Sequence, residues 1–176
     1  MIRISEFTLA TLDAVIGLTR NDHWMQALVV LYSAIDTLAW STKDTGDVTR
    51  ADFFRWVDAY MDPVTRLGCT PEDLYAARCA VVHSGASESR MIRQGEAAEL
   101  WYVTAPGRKP ELEAFIAQKG LTAKVVYTAD LFSAFGDGAL KFARELDADP
   151  DLAKRVAARM GRWLGFVPAG PLVSSE

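Results

Sequence analysis

The stretch LYAARCAVVHSG, Leu74 to Gly85, is apolar or small at nearly every position, yet it carries Arg78 and, five residues later, His83, one of two histidines in the chain. Just upstream, Thr70 stands as N-cap, Pro71 at the first helical position and Asp73 at the third, a pattern that opens a helix. Gly85 is a natural stop. Leu74, Tyr75, Val81 and Val82 give this helix apolar surface, and Ala76, Ala77, Cys79 and Ala80 are small enough to let another helix approach closely. An arginine in such surroundings needs a partner, because a buried unpaired charge is costly.

One internal partner presents itself in the run WMQALVVLYSAIDTLAW, Trp24 to Trp40, where Asp36 is the single charge in a segment that is apolar almost all round and belongs in the middle of a bundle. We expect Asp36 to pair with Arg78 across the bundle, orienting the guanidinium and leaving some of its five donors for an anion. A buried ion pair without a ligand fits the same residues equally well. His83 lies near the end of its helix, where exposed carbonyls favour a protonated imidazole. Five residues of ideal helix separate it from Arg78 by about 140° of rotation and about 7.5 Å of rise. On that geometry the two side chains do not share a face, so one chain is expected to make a poor complete site, and two copies about a two-fold axis a better one.

The remaining segments fall into place around these helices. Phe7, Leu9, Leu12, Val15, Ile16 and Leu18 recur at helical spacing, predicting a first amphipathic helix over about Ser5 to Thr19. Asn21 or Asp22 can cap the apolar second helix. Thr49 and Asp52 have the form of a capping box ahead of the aromatic helix DFFRWVDAYM, which Asp62-Pro63 ends. ELWYVT and KVVYT are β-branched and aromatic, predicting a two-stranded element of open direction, with a short helix in PELEAFIAQKG between them. Helical periodicity resumes from Asp130, weakened at Gly136 and Gly138 by about 1 kcal/mol each relative to alanine. Asp149-Pro150 caps a final helix reaching Trp163-Leu164, and FVPAGPLVSSE reads as a loose tail. The expectation is one domain over residues 1–165, mainly α, with a β-containing insertion at about 98–128 and a flexible tail at 166–176.

Composition bounds the function. The chain has 176 residues, 50% hydrophobic and 24% charged, with a net charge of −4, which suits a globular domain with a real core. That balance argues against a protein that coats nucleic acid through many basic residues. It leaves room for a local basic site: Arg90 and Arg93 follow His83, while Lys154, Arg155, Arg159 and Arg162 crowd one late segment, each cluster read as a solvated face. No apolar run is long enough to span a membrane, and MIRISEFTLATLDAV makes a poor signal peptide, so a cytoplasmic location is expected. Cys69 and Cys79 stand about 15 Å apart along a helix axis, too far for a bridge. Cys79 and His83, four residues apart, share a face and admit a thiolate-imidazole pair. Zinc would need two more ligands where only Cys69 and His23 remain, so no metal site is expected. No phosphate loop, nucleophile elbow or His-Glu-x-x-His pattern is present.

The segment LYAARCAVVHS resembles the Arg-x(4–6)-His motif of the HEPN superfamily, placed toward the end of a late core helix. The similarity extends to the preceding order of elements, an apolar helix with an internal acid (YSAIDTLAW), an aromatic helix (DFFRWVDAYM) and the Tyr-Ala-Ala-Arg-Cys segment, and spans about Met25 to Ser87. It implies a HEPN-like up-and-down helical bundle and a homodimer whose facing motifs form an endoribonuclease site that needs neither metal nor cofactor. Such sites act in toxin-antitoxin pairs, antiphage defence and RNA processing, so RNA is the implied substrate and an antitoxin or other protein an implied partner. Carried over, Arg78 would bind the scissile phosphate and His83 would take part in proton transfer, with Asp36, Cys79, Tyr75 and Ser84 as supporting residues. Cys79 stands where family members commonly carry asparagine, aspartate or histidine. That departure keeps a second reading open, a non-catalytic HEPN-like nucleotide-binding or protein-interaction module.

Overall fold

The computed structural model describes residues 4–43, 45–84 and 89–161, without the side chain of Ser84. The chain is mainly α, as the sequence predicts, with a two-stranded parallel sheet. Among the described residues the order is α1 (Ile4–Arg20), α2 (Trp24–Ser41), α3 (Arg50–Met61), α4 (Pro63–Leu67), α5 (Pro71–Ser84), α6 (Arg90–Arg93), β1 (Glu99–Val103), α7 (Arg108–Lys119), β2 (Ala123–Tyr127), α8 (Thr128–Ala148) and α9 (Pro150–Met160). No described helix is long and apolar enough to cross a membrane. The expected stop at Gly85, the extension to Trp163-Leu164 and the tail at 166–176 lie outside the described residues.

The all-round apolar α2 is the central helix. It packs against α1, α3, α5, α8 and α9, and Leu31, Ile35 and Leu38 are fully buried. Each such side chain contributes about 1.5–3 kcal/mol by leaving water. Phe53, Trp56, Val57 and Met61 bring α3 into the same core, and Leu131, Phe135 and Phe142 bring α8.

Several local signals act as the sequence predicts. Thr49 and Asp52 form a full capping box at α3. At α5 the Thr70 amide donates to Asp73 Oδ2 at 2.8 Å and the Asp73 amide to Thr70 Oγ1 at 3.2 Å. The Asp149 carboxylate accepts from the amides of Asp151 and Leu152 to open α9.

Other expectations are corrected. Neither Asn21 nor Asp22 caps α2. His23 holds that position without a side-chain bond, while Asn21 Nδ2 donates back to Gly17 O at 2.8 Å and Asp22 takes a left-handed φ of 59°. The tight α1–α2 turn needs one residue in that region, and aspartate tolerates it better than most. In α1, Leu9 and Ile16 are exposed, and Thr8 and Thr11 are buried instead, their hydroxyls donating to Ile4 O and Phe7 O. Those internal bonds let threonine take a core position. The cluster at the C-terminal end is not wholly a solvated face. Lys154 and Arg155 are exposed, but Arg159 is buried, its guanidinium 4.3 Å over the Trp40 ring and bonded to Gly46 O.

The strands are parallel, with Trp101 opposite Val125 and Tyr102 opposite Val126. Helix α7 is the crossover that parallel pairing requires. One sheet face, Leu100 and Val126, joins the main core, while Val103 and Val125 pack with Ile116 of α7. Two contacts pin this unit to the bundle. The buried hydroxyls of Tyr32 on α2 and Tyr102 on β1 meet at 2.5 Å. Asp73 accepts from Lys124 Nζ at 2.6 Å and from the Ala98 amide at 2.7 Å besides its own capping bond.

Gly136 and Gly138 do not interrupt α8, and they differ from each other. A Cβ at Gly138 would stand 2.8 Å from Tyr60 O, a backbone atom of α3, whereas one at Gly136 would meet only Leu12 Cδ1 at 3.2 Å. Gly138→Ala is therefore expected to destabilise by about 1–3 kcal/mol through overpacking, against the helix preference for alanine. Gly136→Ala is expected to be neutral or stabilising by up to about 1 kcal/mol, because the leucine methyl can rotate away. Thermal melts of the two variants read the difference directly.

Candidate functional site

Helix α5 carries the site because its small, buried Ala76, Ala77 and Ala80 let it lie closely against α2 and α3. That approach brings Arg78 to Asp36. Arg78 Nε lies 2.6 Å and Nη2 2.5 Å from the same carboxylate oxygen, Oδ2, and both side chains are 17% exposed. The pairing across the bundle that the sequence suggests is thus present.

The expectation that Arg78 and His83 point apart within one chain is corrected. Arg78 Nη1 lies 2.8 Å from His83 Nε2. The ideal-helix argument compares Cα positions, but an arginine side chain is long enough to run along the helix and close the gap at its planar head. A guanidinium only donates, so in this contact Nε2 is the acceptor, which assigns the ring proton to Nδ1. Asp36 and His83 between them take three of the five guanidinium N–H groups.

Burial pushes the Asp36 carboxyl up, and the hydrogen bond and charge of Arg78 do not cancel the rise. On Arg78, burial works against the charge, but the bonds to Asp36 outweigh it and hold the guanidinium above its ordinary value. Two N–H groups at 2.6 Å or less on one oxygen is a charge-assisted arrangement, and it decides for the ionised pair.

The supporting residues divide. Tyr75 is half-buried, its ring held edge-on by Phe53 and Phe54 at 5.3 and 5.6 Å, with Arg78 Cζ 6.0 Å from its centroid. Burial, followed by the neighbouring Cys79, pushes the Tyr75 hydroxyl up. Cys79 is a free, partly exposed thiol, whereas Cys69 is buried and its thiol pushed up to about 12, chiefly by burial. His83 Nε2 is engaged by Arg78 and is not offered to the Cys79 thiol. Ser84 falls in the last turn of α5, and its side chain lies outside the described atoms. Among the described residues, no three His, Cys, Asp or Glu side chains group as metal ligands.

Sequence reasoning missed the cleft beside Tyr75 and Cys79. It measures about 420 Å³ and is also lined by Arg50, Ser89, Arg90, Met91, Gln94 and Glu96. No local signal marks it, because Arg50 opens α3 while Ser89 to Gln94 follow α5. Comparison of the chain with protein-family models, with curated proteins and with solved structures finds no match.

Proposed function

We propose that the Asp36–Arg78–His83 chain is the core of an endoribonuclease site of HEPN type, in which two copies of the protein face each other across α5. The observation that supports the reading is the Arg78–His83 contact itself, a guanidinium braced by the Asp36 carboxylate and within hydrogen-bond distance of an imidazole nitrogen. A phosphate oxygen is a stronger acceptor for guanidinium N–H than an imidazole. Its arrival would draw Nη1 away and release the His83 Nε2 lone pair at the moment substrate is bound. Nε2 would then take the proton of the ribose 2′-hydroxyl as that oxygen attacks phosphorus. The P–O5′ bond breaks, the leaving oxygen takes a proton from solvent water, and a 2′,3′-cyclic phosphate and a 5′-hydroxyl result, the His83 proton returning to solvent. Arg78 would neutralise charge building on the phosphate oxygens. The chemistry suits a toxin, an antiphage effector or an RNA-processing enzyme, with an antitoxin or other protein as regulator.

Cys79 beside Arg78 favours a second reading, a HEPN-like module that binds nucleotide or protein without cleaving. Incubation of the purified protein with assorted RNAs in EDTA separates the two. Cleavage with cyclic phosphate ends is expected, falling about 10²–10³-fold in Arg78→Ala and in His83→Ala. Intact RNA, or cleavage equal in the variants, would remove the nuclease reading. Size-exclusion chromatography is expected to give a dimer, and a strict monomer would remove the facing arrangement.

A further inference from the structure

The cleft beside the Arg78–His83 pair contains one group whose state the fold does not explain. Ser89 is 7% exposed, and its hydroxyl has no hydrogen-bond partner among the described residues. It stands where a serine usually caps the following turn, yet its side chain makes no capping bond. A buried hydroxyl left unpaired costs free energy, and native structures rarely keep one without a use.

The groups around it are polar and loosely engaged. Arg90 Nε reaches Gln94 Oε1 at 3.1 Å on the surface, and Arg50 meets Glu96 only at 3.6 Å with both side chains well exposed. The cleft is also lined by the Glu96 carboxylate and by Tyr75, whose ring packs T-shaped with Phe53 and Phe54 and lies 6.0 Å from the Arg78 guanidinium carbon. A fixed aromatic ring, an amide and a hydroxyl, with two guanidinium groups at the rim, is the chemistry that recognises a single nucleotide. The ring offers a surface for the base, the amide and hydroxyl can bond its edge, and the arginines answer phosphate. The cleft, at about 420 Å³, falls within the usual range for small-molecule sites, about 300–1,000 Å³.

We infer that this cleft is a nucleotide subsite, which takes the base of the residue flanking the phosphate held at Arg78, with Ser89 and Gln94 on the base edge and Tyr75 against its face. The assignment of that nucleotide to an RNA substrate rests on the nuclease reading; the binding of a nucleoside monophosphate does not.

The test is calorimetric titration of the full chain with the four nucleoside 5′-monophosphates, beside ribose 5-phosphate and inorganic phosphate as base-free probes. At least one mononucleotide is expected to bind saturably, and the base-free probes at least tenfold more weakly. Ser89→Ala and Gln94→Ala should each weaken it by about fivefold, the worth of one hydrogen bond. The melting temperature of Ser89→Ala should be unchanged or raised, since an unpaired hydroxyl is removed, whereas loss of an ordinary capping serine lowers it. Failure of all four mononucleotides to bind, or equal binding by the variants, would overturn the subsite. If mononucleotides bind in this pattern but no RNA is cleaved, the subsite stands and the nuclease reading falls. If RNA is cleaved with KM and base preference untouched by Ser89→Ala and Gln94→Ala, the subsite falls alone.

Discussion

Asp73→Ala is expected to lower stability by about 2–4 kcal/mol, through loss of a helix cap and of the partner of a second backbone amide. The carboxylate is 3% exposed and accepts from the Thr70 amide, the Ala98 amide and Lys124 Nζ, so one side chain joins the start of α5 to the segment entering β1 and to β2. Lys124 is 38% exposed and can return to water, so its share is small beside that of the two amides. Asp73→Asn keeps one acceptor oxygen and should lose about half as much. Burial pushes the Asp73 carboxyl up, but Lys124 and the amides of Thr70 and Ala98 outweigh it and hold the group below its ordinary value. A depressed carboxylate stabilises the fold fully above its unfolded value of about 3.9, and that stability is lost as pH falls from there through the folded value. Urea unfolding of wild type and Asp73→Asn should therefore give curves that converge in acid below about pH 4. A gap independent of pH would mean that the charge is not what matters.

The second large effect concerns the pair at the site. Asp36→Leu and Arg78→Met are each expected to cost about 2–4 kcal/mol, a little under the range for a fully buried pair because both groups keep some exposure. The double variant should cost less than the sum, with a coupling of about 1–3 kcal/mol, since neither charge is then left alone. Strict additivity in denaturant melts would mean that the contact has no energetic content. In Arg78→Met the titration of Asp36, followed by carboxyl carbon NMR, should move further upward, because burial already raises it and the opposing pull is gone. That movement is independent of any activity, so it tests the carboxylate–guanidinium contact without reference to RNA.

Much of the fold is legible one element at a time. Caps are bonds between residues three apart, so Thr49 with Asp52, Thr70 with Asp73 and Asp149 ahead of Pro150 carry their own signal. The apolar circumference of α2 likewise announces a central helix, and the one acid on it points to a cation elsewhere. The short α4 and α6 escape notice because they hold too few residues to show a period. The site is half legible: Arg78, His83 and Asp36 stand out as polar residues on apolar helices, while Ser89, Arg90 and Arg50 look like ordinary surface residues until three segments meet.

By itself, then, the sequence determined the longer helices, the starts of α3, α5 and α9 and the Asp36–Arg78 pair, because these depend on local backbone bonds and on the aversion of charge to apolar surroundings. The tertiary structure alone decided what depends on the distance between surfaces. It set Gly138 against the Tyr60 carbonyl, sent Thr8 inward and Leu9 outward, and made the strands parallel. It also laid the Arg78 guanidinium along α5 to His83, a contact that helix geometry at the Cα positions argues against. Spacing along a helix fixes where a side chain starts, and only its neighbours fix where it ends.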